Sequence, residues 1–481
     1  MTMKFNRGRR RHRRDLQKAA DVEDRLSELP KDRLSELPND VLLNIVERLE
    51  TLDALRACIV SKQMWKLPTM LSQIVIVLDN HHELFRKNSV VADVTNKILS
   101  KRSPQINIRK LKVKLFLIPN DCHSIGKSIG LAMATQKLDA AEFEIVTPKN
   151  SYYCKDADLL NFAKQFNTFL ADCPEAFSGL TRLELQNLRF GESDMSNILS
   201  TCKRLESLSL FECDAGIRSV LHVEHAALIE LCISYGKFKT VQLDCLPKLQ
   251  RMTYIWLLYE TPLVLGFVPQ LSKLSLTNTS LSDKTLMLSQ LLADVQTVRE
   301  LYLNFQSEKI WIRPECRRML APVFTELRTV NLDNLPEECD IAWTMFLLEA
   351  APFIQELCIT VWDHKCGKES QKSYSKKMDV KWEPSAPNFK HKNLVKLTIY
   401  GFQSEDTFMR YIRHAMEAAM NIKEVSLHDR KACMHCADRF PHMEVRPSTY
   451  PRSFEEKDLL RKKITDSSVM MASPAIIHFR S

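Results

Sequence analysis

A six-residue pattern, L-x-x-L-x-L, recurs along most of this chain of 481 residues and constrains its fold more than any other feature. From Leu180 to Ile354 successive copies begin 25, 23, 21, 22, 27, 29 and 27 residues apart. These copies begin at Leu180, Leu205, Leu228, Leu249, Leu271, Val298, Leu327 and Ile354, and further ones at Ile108, Leu394 and Ile422. A repeat of about 20–29 residues with this pattern predicts units that bury their apolar surface only by stacking.

The predicted fold is therefore a leucine-rich-repeat solenoid of the α/β class, with irregular repeats and parallel strands. The first, fourth and sixth positions of each copy should point inward, and the residues between them outward. The chain holds only 10 glycines, which argues against loops that cradle phosphate groups. We expect the repeats proper over residues 100–360.

The outward positions predict a recognition surface for a protein or peptide. Small polar residues occur at these positions, as in Ser207, Ser209 and Thr277, with aromatic side chains at intervals. Large aromatic residues supply much of the binding free energy of protein interfaces. The candidate target-binding residues are Phe211, Tyr302 and Tyr400.

Ahead of the repeats, a short segment occurs twice, as Asp24–Pro30 and Asp32–Pro38. Only the second copy leads into a helical pattern, in which Val41, Leu42, Ile45, Val46 and Leu49 share one face. Thr51 can cap a second helix, and a third short segment ends at Pro68. Three such small helices cannot bury their apolar faces alone, so this unit needs a partner.

This N-terminal unit resembles an F-box, the motif that docks on the Skp-type adaptor of cullin ubiquitin ligases. The resemblance rests on Leu37-Pro38-x-x-Val41-Leu42-Leu43-x-Ile45, then Leu49, Leu55 and Val60-Ser61. It implies an adaptor-binding face made by Leu37, Pro38, Val41, Leu42, Ile45, Leu49, Leu55 and Val60. The family usually has a tryptophan three residues after the serine, where this chain has Met64 followed by Trp65.

The C-terminal part resembles the FBD region of plant F-box proteins. The likeness lies in Val380–Pro384, Phe389–Leu394 and Tyr400–Phe402, at the end of a lysine-rich insert and just after it. The close of the chain, from Tyr450 to Phe479, is similar to grass members of that group. The whole chain thus resembles a plant, grass-type F-box/LRR-repeat/FBD protein. The expected domains are a basic tail over 1–23, the F-box over 24–72, the repeats over 100–360, and an FBD-like region over 361–481 that continues the repeats.

The net charge of +9 comes mainly from the N-terminus, because seven basic residues and no acidic ones lie among the first 14. The remainder carries only +2. Such a tail indicates nuclear targeting or contact with a polyanion, or else a disordered end. No secretory signal or membrane span is predicted, and the 14 scattered cysteines favour reduced thiols in the nucleus or the cytoplasm.

Two motifs with possible chemistry are interpreted as coincidental. Gly126-Lys-Ser128-Ile-Gly130 matches a nucleophile elbow, but Ser128 should lie in the middle of a helix. Cys433 and Cys436, with His428 and His442 nearby, lack the second cysteine pair of a structural zinc site. We expect no catalytic residue, no metal and no cofactor.

The leading hypothesis is a non-enzymatic substrate receptor, which the resemblance implies. Its partners would be a Skp-type adaptor, through it a cullin-RING ligase, and a target protein held by the repeats. The alternative is a leucine-rich-repeat interaction scaffold without a ligase role, in which the F-box-like helices only cap the repeats. A nucleic-acid-binding protein would depend on the basic tail alone, and a hydrolase on Ser128; neither nucleic acid nor a membrane is an expected partner.

Overall fold

The architecture is described from a computed structural model of the chain. The described residues are 37–49, 51–59, 64–77, 81–102, 105–135, 138–216, 219–257, 262–278, 285–307, 310–336, 339–361, 382, 389–430, 448–465 and 475–480. The expected basic tail therefore lies outside the described residues.

Helices and strands alternate along the described chain. The helices are α1 (Asn39–Val46), α2 (Thr51–Ile59), α3 (His81–Ser100), α4 (Pro119–Thr135), α5 (Asp156–Asp172), α6 (Pro174–Ser178), α7 (Asp194–Thr201), α8 (Leu288–Leu291), α9 (Arg317–Leu320), α10 (Met345–Ala350), α11 (Asp406–Ala418) and α12 (Phe454–Thr465), with 3₁₀ turns at Met64–Met70, Ser151–Tyr153 and Ile341–Thr344. The strands are β1 (Gln73–Ile76), β2 (Ile108–Phe116), β3 (Leu138–Val146), β4 (Arg182–Gln186), β5 (Ser207–Phe211), β6 (Val220–Glu224), β7 (Glu230–Ser234), β8 (Thr240–Cys245), β9 (Arg251–Leu257), β10 (Leu263–Phe267), β11 (Lys273–Asn278), β12 (Glu300–Asn304), β13 (Thr329–Leu335), β14 (Glu356–Val361), β15 (Lys396–Tyr400), β16 (Glu424–His428) and β17 (Ile476–Arg480).

Fourteen of the described strands form one continuous parallel sheet. Its order is β1-β2-β3-β4-β5-β7-β9-β11-β12-β13-β14-β15-β16-β17, so each neighbour in the sheet comes from the next repeat. The strands that follow the insert after Val361 pair onto the same sheet, since β15 pairs with β14. This confirms the predicted α/β solenoid of parallel strands.

The inward positions of the repeats form the core. In all eleven copies of the pattern the first, fourth and sixth residues are at most 4% exposed, which confirms their predicted direction. Equivalent residues also stand opposite one another in neighbouring strands, as Leu183 does with Leu208, and Leu208 with Leu231. The core is therefore a set of continuous apolar rows that run across the sheet.

Repeat length decides what covers the other side of the solenoid. The three shortest repeats, which begin at Leu205, Leu228 and Leu249, carry a second strand there, and β10, β8 and β6 form a parallel sheet of their own. The longer repeats from Leu271 and Leu327 carry the short helices α8 and α10 instead. An extended strand advances about 3.3 Å per residue and a helix only about 1.5 Å, so a short repeat closes its turn with a strand.

Glycine at position 401 is required by a close backbone approach. Gly401 follows β15 with φ +76°, and a Cβ there would collide with the carbonyl oxygen of Val361 in the neighbouring repeat. The residue therefore ends the strand and allows the two repeats to stack.

Two buried histidines connect neighbouring repeats through one shared pattern of hydrogen bonds. His391 Nδ1 accepts a hydrogen bond from the Leu394 amide (2.9 Å), and its Nε2 lies 3.0 Å from the Ala351 carbonyl oxygen. His225 repeats this arrangement with the Ala227 amide and, at 3.1 Å, the Cys202 carbonyl. Because Nδ1 accepts in both, Nε2 must carry the proton and donate. Burial lowers the pKa of both imidazoles, so both are neutral in the fold.

These histidines predict a loss of stability in mild acid. Below about pH 6.5 the imidazoles of the unfolded chain take up protons, whereas those of the folded chain stay neutral until the pH reaches their lower pKa. The free energy of unfolding therefore decreases as the pH is lowered through that window. The limiting slope is about 1.4 kcal/mol per pH unit for each histidine. We expect a His225→Gln/His391→Gln variant to show a shallower decline in melting temperature below pH 6.5. The exposed His414→Gln is the control, and an unchanged slope in the double variant contradicts the prediction.

Candidate functional site

The N-terminal helices turn one apolar face inward and another outward. Leu42 and Val46 of α1 are fully buried, and α1 contacts the following 3₁₀ turn. On an adjacent face Val41 and Ile45 are each 40% exposed, and Leu49 just beyond the helix is 43% exposed. Exposed Pro38 lies at the start of this row. We call Pro38, Val41, Ile45 and Leu49 the outer stripe.

Half of the predicted adaptor-binding residues thus form one surface. The prediction that Leu42 faces the adaptor is corrected, because its side chain is 0% exposed and belongs to the unit's own core. Leu37 and Leu55 are half-buried and pack against that core, and Val60 lies outside the described residues. Val41 and Leu42 are sequence neighbours, about 100° apart on a helix, so one can face out while the other faces in.

Hydrogen bonds fix these helices to the first strand of the solenoid. The Glu47 carboxylate accepts from the Ser72 amide (3.0 Å) and hydroxyl (2.6 Å), and these bonds hold the pKa of Glu47 below its usual value. Arg109 of β2 donates to the same hydroxyl at 2.6 Å. Thr51 was expected to cap α2, but its hydroxyl accepts from the Val75 amide of β1 at 2.7 Å. The helices therefore cap the sheet edge that β1 would otherwise expose.

The outward residues of the long sheet form a second surface, the strand face. From β2 to β17 its charges balance, with eight basic and eight acidic side chains. They are Lys110, Lys112, Lys114, Arg182, Arg251, Lys273, Lys396 and Arg480, and Glu142, Glu144, Glu184, Glu230, Glu300, Asp333, Glu356 and Glu424. Many pair across strands, as Lys110 does with Glu142 (2.9 Å) and Lys273 with Glu300 (2.9 Å). The strand face therefore carries no net charge to attract a polyanion.

The middle of the strand face is an uncharged track. Nine successive strands place a neutral residue at the outward position between the two inward ones. These residues are Ser209, Cys232, Thr253, Ser275, Tyr302, Asn331, Cys358, Thr398 and Ser426, each opposite the next. Thr398 and Ser426 are buried, at 8% and 1% exposed. The hydroxyl, thiol and amide groups from Ser209 to Cys358 suit hydrogen bonding to a neutral polar partner.

The three candidate target-binding aromatics are distributed along the strand face and do not form one pocket. Phe211 is 38% exposed and packs edge-on against Tyr235, with ring centroids 5.6 Å apart. Tyr400 stacks on His428 at 4.3 Å. Tyr302 lies between them on the uncharged track, four strands from Phe211 and three from Tyr400. At about 4.8 Å per strand, the outer two are roughly 34 Å apart, so only an extended partner spans all three.

The two chemical motifs do not form sites in the described residues. Ser128 lies in the middle of α4, as predicted, and donates to the Ser124 carbonyl at 3.1 Å. Gly126 is explained by packing, because a Cβ there would lie 2.6 Å from the Cys173 sulfur. Cys433, Cys436 and His442 lie outside the described residues, and no metal-binding cluster of three His, Cys, Asp or Glu residues occurs within them. Among the described helices, none combines the length and apolarity needed to cross a membrane.

Comparison with protein-family models gives two matches. The model described as At1g61320/AtMIF1, LRR domain, matches residues 170–450, more than half of the chain. The F-box domain model matches residues 34–64, which include the outer stripe.

Curated relatives come from Arabidopsis thaliana. The F-box/FBD/LRR-repeat protein At5g22610 is 25% identical over 45% of this chain, and the FBD-associated F-box protein At5g22720 is 24% identical over 70% of it. The aligned parts span 43% and 67% of those two proteins. Among solved structures, the yeast Rad7 and Elc1 complex aligns over 89% of this chain and 94% of its own, at 13% identity and a TM-score of 0.34.

The cap on β1 predicts that Thr51→Val loosens the N-terminal helices. Valine keeps the shape but leaves the Val75 amide without its acceptor, which costs about 1–3 kcal/mol. We expect faster amide hydrogen exchange at Val75 and through α1 and α2. Thr168→Val, at an exposed position of α5, is the matched control. Unchanged exchange in α1 and α2 contradicts the proposed capping.

Proposed function

The chain belongs to the plant F-box/LRR/FBD proteins, and from that premise we propose that it is the substrate-recognition subunit of an SCF-type cullin ubiquitin ligase. In this role the outer stripe binds the Skp-type adaptor and the strand face binds a target protein. The chain itself supplies no catalytic group, since its contribution is to hold the target near a ubiquitin-conjugating enzyme.

The outer stripe is the observation that carries the adaptor half of the proposal. A small helical unit that leaves four apolar residues in one row exposed gains free energy only when a partner covers them. Burying a Val, Leu or Ile side chain is worth about 1.5–3 kcal/mol, so the stripe can supply much of the affinity of a stable interface. The same helices use their other face to cap the solenoid, so adaptor binding does not require them to leave it.

The strand face supports the target half. Its balanced charges and its uncharged track suit a neutral polar segment of a protein that lies across several repeats. The FBD-like strands β15, β16 and β17 continue the same sheet, so their exposed outward residues take part in target binding in this proposal.

The second candidate function is the scaffold without a ligase role. The hydrogen bonds of Glu47 and Thr51 favour it, because they give the helices a structural role that needs no adaptor. The two functions differ in one respect, because a cap alone retains no adaptor.

Adaptor binding predicts large effects from charges on the outer stripe. We expect Val41→Asp and Ile45→Asp each to weaken binding of a purified Skp-type adaptor by at least about 30-fold, measured by calorimetry, because each buries a carboxylate in an apolar interface. Both side chains are exposed in the free chain, so melting temperature should hardly change. Leu42→Asp is unsuitable, because it places a charge in the core.

Leu131→Asp is the matched control, since Leu131 is 62% exposed on α4, away from the outer stripe. It should bind the adaptor as the unmodified chain does. A chain that folds but does not bind the adaptor, or stripe variants that bind it normally, would favour the scaffold.

The strand face predicts how target proteins behave. We expect proteins captured by the Ile45→Asp variant, which lacks the adaptor, to be released by Phe211→Ala or Tyr400→Ala. Their binding should change little between low and moderate salt, because the charges of the face already pair within it. Capture that falls steeply with salt would contradict recognition by this neutral surface.

A further inference from the structure

Two neighbouring tyrosines in the loop after β3 lie almost entirely in solvent. Tyr152 is 88% exposed and Tyr153 is 73% exposed, and their rings pack edge-on with centroids 5.3 Å apart. Hydrogen bonds fix their turn, because Asn150 Oδ1 accepts from the Tyr152 amide at 3.1 Å and the Asn150 carbonyl accepts from the Tyr153 amide at 2.9 Å. Aromatic rings that a fixed backbone holds in water can bind a partner at a low cost in conformational entropy.

A second aromatic pair lies on the same edge of the sheet, where the strands end. Phe211 at the end of β5 packs edge-on against Tyr235, which follows β7. Asn187, at the end of β4, joins the two pairs, since its Nδ2 donates to the Lys149 carbonyl at 3.2 Å and its amide to the Phe211 carbonyl at 3.1 Å. The loop of the first pair follows β3, which is two strand spacings, or roughly 10 Å, from β5. We call Tyr152, Tyr153, Phe211 and Tyr235 the aromatic rim.

The backbone at Tyr235 is unfavourable for an aromatic residue. Its φ of +57° lies in the left-handed region, where the equivalent position after β4 has Asn187 with φ +55°. A bulky side chain with positive φ is an outlier, and such strain concentrates at functional sites. Folding alone would favour asparagine or glycine at this position, so the ring points to a role in binding.

The rim also carries a carboxylate without a cation. Glu212 follows Phe211, and its amide donates to the Ser234 carbonyl at 2.8 Å, which places it beside the second pair. Its Oε2 is buried and accepts no hydrogen bond from the described residues. Burial, and the charge of Glu212 among its neighbours, raise the pKa of Cys154, so the carboxylate also lies near the tyrosine turn. A positive charge on a partner would complement this group.

Proline-rich segments match the spacing of the rim. A polyproline II helix advances about 3.1 Å per residue with three residues per turn, so equivalent prolines recur about every 9 Å. This period agrees with the roughly 10 Å between β3 and β5. The helix has no internal hydrogen bonds and is largely preformed, so aromatic surfaces bind it without a large ordering cost.

We propose that the aromatic rim binds a proline-rich segment of the target protein in the polyproline II conformation, with a basic residue of that segment at Glu212. Successive turns of the segment place prolines on the two aromatic pairs. The proposal rests on the target half of the proposed function, because Phe211 belongs to the strand face, and it specifies the chemistry of the target. The outer stripe and the adaptor take no part in it.

Three labelled peptides of twelve residues test this binding, each titrated with the full chain in the absence of adaptor. They repeat Pro-Pro-Arg, Ala-Ala-Arg and Pro-Pro-Glu. Fluorescence anisotropy should show the Pro-Pro-Arg peptide bound at least about tenfold more tightly than either of the others. The Ala-Ala-Arg peptide has the same charge but lacks the prolines, and the Pro-Pro-Glu peptide has the prolines but the wrong charge.

Variants of the rings and of the carboxylate locate the site. Tyr152→Ala/Tyr153→Ala and Tyr235→Asn should each weaken binding of the Pro-Pro-Arg peptide at least about fivefold. Asparagine tolerates a positive φ, so Tyr235→Asn removes the ring without unfolding the repeat. Glu212→Gln should reduce the preference for Pro-Pro-Arg over Pro-Pro-Glu. Phe454→Ala, which removes a ring that is 74% exposed on α12, is the control and should bind as the unmodified chain does.

The proposal is overturned if the Pro-Pro-Arg peptide does not bind, if either of the other peptides binds as tightly, or if the ring variants bind as Phe454→Ala does. Equal binding of the Ala-Ala-Arg peptide would mean that charge alone attracts it. Because no adaptor is present, these outcomes are independent of the outer-stripe variants. Failure here is therefore distinguishable from failure of the proposed ligase role.

Discussion

The in-register stacking of parallel strands is the interaction on which the rest of the molecule depends. Each strand receives main-chain hydrogen bonds from both neighbours, and its inward residues complete the core of the repeat on either side. No repeat is stable without the next, so the two ends of the stack need protection. The F-box helices protect β1. At the other end, Arg461 of α12 donates to the Ile477 carbonyl of β17 at 3.2 Å, and its guanidinium lies over Phe479.

The rows of inward residues were visible in the sequence because leucine, isoleucine and valine occupy nearly all of them. Three strands of the long sheet, β1, β3 and β17, escaped prediction. In β3 the fourth position of the pattern is the small residue Ala141. Strand β1, with Ile74 and Ile76, lies between the expected F-box over 24–72 and the expected repeats. The back sheet was also missed, although Leu221 and Val223 of β6 alternate with exposed residues as a half-buried strand does.

The surfaces were less predictable than the core. Helix α1 carries apolar residues on two faces, and hydrophobicity alone does not say which face the same chain covers. Packing within the chain, which includes contact of α1 with the 3₁₀ turn, makes that choice, so Leu42 is internal while Ile45 remains available. Likewise, spacing identified Phe211, Tyr302 and Tyr400 as outward-facing, but only strand order shows that they are too far apart for one pocket.

The dual use of the N-terminal helices has a consequence for the proposed ligase role. If the F-box were joined to the repeats by a flexible linker, the target would sample many positions and its effective concentration near the conjugating enzyme would fall. Here Glu47 and Thr51 bind the Ser72 hydroxyl and the Val75 amide directly. An adaptor on the outer stripe would therefore hold the strand face in one orientation. The geometry of ubiquitin transfer would then be set by where along that face the target binds.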